Sequence, residues 1–163
     1  MMSYFKYRGE SMNKTILLGI ILLIFVTGCG TTKEEKMVCT RTATMNGMEL
    51  DFRYEVYYQG NNVNKVKTRE KVKSESDVTL KNLESQAKTL YSNFDKIKNY
   101  NYSVTIEDNT LISTTNINYQ KINIDELLKI DSSINQLLND NNKIDLEKIT
   151  KVYEQTGATC SKK

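Results

Sequence analysis

Hydrophobic and polar positions change period several times along this chain, and each change marks an element. Over residues 48–59 the alternation is strict: Leu50, Phe52, Tyr54, Val56 and Tyr58 fall on one side of an extended chain, and Glu49, Asp51, Arg53, Glu55 and Tyr57 on the other. That period of two marks a strand with one face on a core. The stretches 36–45 and 63–74 read as strands flanking it, set off by Asn46-Gly47 and by Gly60-Asn61-Asn62. Asn-Gly is a favoured two-residue hairpin turn. It sets Met45 against Met48, Ala43 against Leu50 and Cys39 against Tyr54, so Cys39 points to the core side. A three-residue loop at 60–62 sets Val56 against Val66 and Leu50 against Val72.

From residue 77 the period lengthens. Leu80, Leu83, Ala87, Leu90, Tyr91, Phe94 and Ile97 recur at spacings of three and four, which predicts a long helix over 77–98 with Asp77 as N-cap and a stripe packed on the inner face of the sheet. Strands follow at 100–107 and 110–119 around Asp108-Asn109, then short helical segments at 124–130 and 132–138. A last helix over 145–155 should bury Leu146, Ile149, Val152 and Tyr153 before Gly157 ends it. The order β-β-β-α-β-β-α-α-α predicts an α+β fold: an antiparallel sheet of about five strands, one long helix packed on it, and short C-terminal helices, all in one domain over 37–163.

The apolar run Ile16 to Val26, broken only by Gly19, is far short of the roughly 20 residues a bilayer core requires. Lys14 before it and the small residues Thr27 and Gly28 after it fit a secretory signal. Val26-Thr27-Gly28-Cys29 resembles a lipobox, in which the cysteine is lipidated and the chain is cut between Gly28 and Cys29. The expectation is a lipoprotein signal over 1–28, a lipidated tether over 29–36, and a membrane partner reached through the lipid on Cys29, with the domain on the extracytoplasmic face. Arg8-Gly9-Glu10 can be encoded as AGG-GGA-GAA, a bacterial ribosome-binding sequence just before the Met12 codon, so the start is hypothesised to be Met12.

Charge and composition narrow the chemistry. The chain holds 23 basic and 20 acidic residues; removing 1–28 leaves 20 and 19, a net charge of +1, and no nucleic-acid partner is indicated. With Cys29 lipidated, Cys39 and Cys160 remain as a pair. A disulfide between them is the economical reading outside the cytoplasm, two unpaired thiols being the alternative. Histidine is absent, which removes the usual nucleophile-activating partners, and there is no CxxC spacing. The chain is therefore expected to be neither an enzyme nor a holder of a metal or other cofactor. The Asn-rich tract at 140–145 lacks the glycine of a calcium loop and reads as a turn leading into a helix cap.

One pattern stands out on the polar faces. Lys65, Lys67, Arg69, Lys71 and Lys73 alternate along a single face. The register above sets Glu55 against Lys67, Asp51 against Lys71 and Glu49 against Lys73, so most of the stripe reads as charge-paired and solvated. Lys65 and Arg69, the latter opposite Arg53, are left poorly neutralised. With an exposed Tyr57 they are the candidate surface-binding residues for an envelope protein or polymer. The alternative is a small-ligand pocket between sheet and long helix, lined by Tyr54, Tyr91 and Tyr102.

The lipobox, the strand pair MELDFRYEVYYQGNNVNKVKTREKV, the single long helix, the segment INYQKINIDELLK and the terminal KVYEQTGATC together resemble the YehR-like small bacterial lipoproteins, a domain family of unknown function. The resemblance covers nearly all of the chain after the signal. It implies an anchored, extracytoplasmic α+β domain and hands over no active-site residues.

Overall fold

The computed structural model describes residues 33–163; the expected signal segment over 1–28, with Met12 and Gly28, and the expected lipidation site Cys29 lie outside them. Six strands form one sheet: β1 (Glu35–Met45), β2 (Met48–Gln59), β3 (Asn62–Lys73), β4 (Tyr100–Glu107), β5 (Thr110–Asn118) and β6 (Thr159–Lys162). Their order across the sheet is β4-β5-β3-β2-β1-β6, every neighbour antiparallel. Among the described residues three α-helices accompany it, α1 (Asp77–Tyr91), α2 (Ile124–Ile130) and α3 (Leu146–Gln155), with 3-10 turns at Phe94–Lys96 and Ser132–Leu137. The α+β class and the antiparallel sheet are as expected. The strand count and the dominance of a single helix are not.

Register follows from the turns. Asn46 and Gly47 both have positive φ (51° and 76°), the conformation a I′ hairpin requires, and Met45 faces Met48, Ala43 faces Leu50 and Cys39 faces Tyr54. The second hairpin reaches the expected register by another route. Its turn is only Gly60-Asn61, with Gly60 at φ 58°, and a bulge at Asn64 takes up the third residue. Asn64 is buried, and its carbonyl accepts from the backbone N–H of Tyr119 (2.8 Å), pinning the exit of β5.

Helix α1 begins at Asp77, as the pattern predicts, but stops sooner. Ser76, not Asp77, is the N-cap, accepting from Thr79 N–H at 3.2 Å, while Asp77 sits in the first turn. The helix ends at Tyr91 rather than near Lys98. There the hydroxyls of Thr89 and Ser92 bond the carbonyls of Ser85 and Thr89, offering the backbone competing partners. The missed strand β6 has only four residues, mostly polar, and is defined by its pairing with β1, where Cys39 stands directly opposite Cys160. The two are joined by a disulfide.

Two apolar clusters fill the inner face. One gathers Met37, Cys39, Val56, Tyr58, Val66, Ile144 and Ile149 around α3; the other gathers Ile97, Tyr100, Ile122 and the fully buried Leu127 around α2. Asp145 caps α3 by accepting from Lys148 N–H (3.0 Å) and also accepts from Asn61 Nδ2 (2.7 Å), tying the helix to the β2–β3 turn. The expected burial of Val152 fails, since it is exposed, and Tyr153 is only half-buried. Leu90, expected in the α1 core stripe, is 64% exposed.

Candidate functional site

Alternation gives the sheet two chemically different faces, and each carries a candidate site. On the outer face the register runs Arg53, Arg69, Thr114, Ser103 across β2, β3, β5 and β4, and in the next row Glu55, Lys67, Asn116, Asn101. These rows form the floor of an open trough of about 470 Å³. Ser103 and Thr114 bond each other through their hydroxyls at 2.7 Å.

The expected charge pairing of the lysine stripe is only partly realised. Opposite charges do face each other, but Glu49–Lys73 is the one such cross-strand pair that closes, at 3.6 Å, with both side chains exposed. Glu55 turns away from Lys67. It pairs instead with Lys36 and Arg53 (3.1 Å each) and accepts from the Tyr57 hydroxyl (3.0 Å). Burial disfavours its charge, but these hydrogen bonds outweigh that and hold its carboxyl below the usual range. One acid thus answers two cations, and no described carboxylate closes an ion pair with Lys67, Arg69 or Lys71.

The three residues singled out from the sequence do not form one group. Lys65 Nζ lies 4.1 Å from the centroid of the Tyr57 ring, with Lys36 and Lys67 farther out at 5.5 and 6.0 Å. Tyr57 is therefore a half-buried cation–π platform rather than an exposed anchor. Arg69 stands apart, in the trough with Arg53. The hydroxyls of Ser103 and Thr114 were not anticipated, although their outward parity in β4 and β5 was readable.

The inner face carries a second feature. The row Arg41, Phe52, Glu70, Ser113 crosses β1, β2, β3 and β5, placing a carboxylate on the core side. Glu70 accepts from Ser113 Oγ at 3.4 Å and has no basic partner among the described residues; Arg41 lies over Phe52, 5.8 Å from its centroid. Burial raises the Glu70 pKa. Tyr54 stacks on Tyr153 (4.3 Å) and Tyr91 on Tyr102 (4.1 Å). Burial, with the Glu70 charge added, pushes Tyr54 up to about 12 and raises Tyr91, Tyr102 and Tyr153 as well. A cleft of about 270 Å³ opens beside Glu70, between α1 and strands β3 to β5. It contains Tyr91 and Tyr102 of the tyrosine set read from the sequence, whereas Tyr54 lies outside it. Glu70 is the member the sequence reading missed; its inward parity between Thr68 and Val72 was the available signal.

Comparisons place this fold among known proteins. The family model described as a protein of unknown function (DUF1307) matches residues 39–159. The NMR structure of the E. coli YehR protein is similar with a TM-score of 0.54 and 20% identity, over 80% of this chain and 92% of that one. The NMR structure of a protein from Streptococcus pneumoniae TIGR4 is similar with a TM-score of 0.50 and 12% identity, over 99% and 98% of the two chains. At such identities the likeness speaks to fold alone. No curated protein matches the sequence significantly.

Proposed function

The chain belongs to this family of proteins of unknown function, and we propose that it is a membrane-anchored, extracytoplasmic, non-catalytic module that binds a polyanionic envelope polymer on the outer face of its sheet. The observation that carries the reading is the Arg53–Arg69 pair with Lys67 beside it. Like charges directly opposite each other destabilise a sheet. Glu55 relieves Arg53, while Arg69 and Lys67 have no ion-pair partner among the described residues. Guanidinium groups match phosphate oxygens in a fork geometry, and the neighbouring hydroxyls and amides of Ser103, Thr114, Asn101 and Asn116 suit a sugar- or glycerol-phosphate backbone.

The test is calorimetric titration of the full chain with poly(glycerol phosphate) at low salt. The K67Q/R69Q variant is expected to bind at least about tenfold more weakly, the loss of two charge-assisted contacts. Equal binding by the variant, or no binding by the wild type, would contradict the proposal. The anchor is Cys29, whose two acyl chains supply the two signals that stable membrane association requires. On Triton X-114 partitioning of expressing cells, the native chain is expected in the detergent phase and Cys29→Ser in the aqueous phase. Identical partitioning of the two would refute the anchor.

A further inference from the structure

We propose that the cleft between α1 and the inner face of β3–β5 binds the terminal ammonium of an aliphatic primary amine. The site is on the opposite face from the polymer trough and stands independently of it. Three residues with side-chain oxygens of unspent capacity line the cleft. The Glu70 carboxylate has a long 3.4 Å contact from Ser113 Oγ and no cation among the described residues. Ser113 Oγ donates that bond and still has lone pairs to offer. The Tyr102 hydroxyl, on the same side, is buried and closes no hydrogen bond of good geometry, the Ser113 hydroxyl being the neighbour that acts on it.

A buried polar group without a partner costs free energy, and a half-buried carboxylate such as that of Glu70 is better satisfied with a cation beside it than without one. A primary ammonium brings three N–H donors and one positive charge, one donor for each oxygen and the charge for Glu70. The ring of Tyr102, stacked with Tyr91, provides an aromatic face of the kind cations favour.

The remaining walls select what the ammonium is attached to. Val72, Leu83, Ala87 and Leu111 line the cleft with methyl and methylene groups, and Leu90, 64% exposed, stands at its mouth beside the exposed Gln86. A volume of about 270 Å³ accommodates a short alkyl chain and little more. A hard divalent cation would need six or more oxygen ligands, which apolar walls cannot supply. An anion would meet Glu70.

The experiment is an NMR titration of the uniformly 15N-labelled full chain with n-butylammonium chloride, with n-butanol as neutral isostere and Nα-acetyl-lysinamide as a side-chain mimic. Saturable shifts are expected at Glu70, Ala87, Tyr91, Tyr102 and Ser113. The affinity for n-butanol, and that of Glu70→Gln for n-butylammonium, should each be at least about tenfold weaker, as expected for loss of a charge-assisted contact. Tyr102→Phe should weaken binding less than Glu70→Gln while keeping the native spectrum, and K67Q/R69Q should leave it unchanged. Saturation by n-butylammonium alone assigns a free amine, and saturation by Nα-acetyl-lysinamide assigns a lysine side chain; either supports the site. Absence of saturable shifts at these residues with both amines, equal binding of n-butanol, or unchanged binding in natively folded Glu70→Gln would overturn it.

Discussion

Glu70 points inward from a strand whose other face is a row of cations, and its surroundings determine what its ionisation does to the fold. The groups around it are Tyr54 on β2, Tyr102 and Ser113 on β4 and β5, Tyr91 on α1 and Tyr153 on α3, while Arg41 on β1 stands in the same row two strands away, beyond Phe52. None of them closes an ion pair with it, and burial raises its pKa. A carboxyl whose folded pKa exceeds its unfolded value of about 4.3 binds more protons when folded, so stability falls as pH rises through the window between the two values. The penalty is complete above the raised value and absent below the ordinary one. Thermal melts of Glu70→Gln against wild type are therefore expected to show the variant more stable at neutral pH and the two converging near pH 4 and below. A difference that does not shrink with falling pH would contradict this account of Glu70. Period-two parity alone would have placed Glu70 inside, between Thr68 and Val72. The lysine stripe on the opposite parity of β3 drew the reading outward instead, because charge is conspicuous in a sequence and desolvation is not.

Among the elements, the strands of the first two hairpins were the most legible. Asn46-Gly47 admits essentially one turn, and once it is fixed the alternation of β2 fixes β1. The register of β3 was read correctly, but through a three-residue loop where the chain uses a two-residue turn and a bulge; both displace the strand by the same amount, so pattern cannot separate them. Elements defined by partners rather than by their own sequence were not legible. Strand β6 exists because β1 offers it an edge and Cys39 meets Cys160, and α1 ends where hydroxyls of its last turn bond backbone carbonyls. The disulfide closes a loop with a sequence separation of 121, which in the chain-entropy picture stabilises by about 4 to 5 kcal/mol. Adding reductant, or replacing both cysteines with alanine, is then expected to lower the melting temperature by on the order of 10–20 °C. Unchanged melting would show that the β1–β6 pairing owes little to its covalent tie.

For the molecule as a whole, one sheet separates two chemistries: a cation-lined outer trough open to solvent and a carboxylate-tyrosine cleft closed by α1. Similarity to known folds extends across the domain but leaves both sites unassigned, so the functional claim rests on the charge arrangement of this chain. Counterion release gives that claim its sharpest form, because each cation that neutralises a phosphate of a polyanion adds a fixed increment to the dependence of affinity on salt. The decisive measurement is the slope of log K against log salt for binding of the full chain to poly(glycerol phosphate), wild type beside K67Q/R69Q. The account predicts a steep negative slope that becomes shallower by roughly 1.5 units when the two cations are removed. Equal slopes for the two proteins would contradict it, since Lys67 and Arg69 would then not be in contact with the polymer.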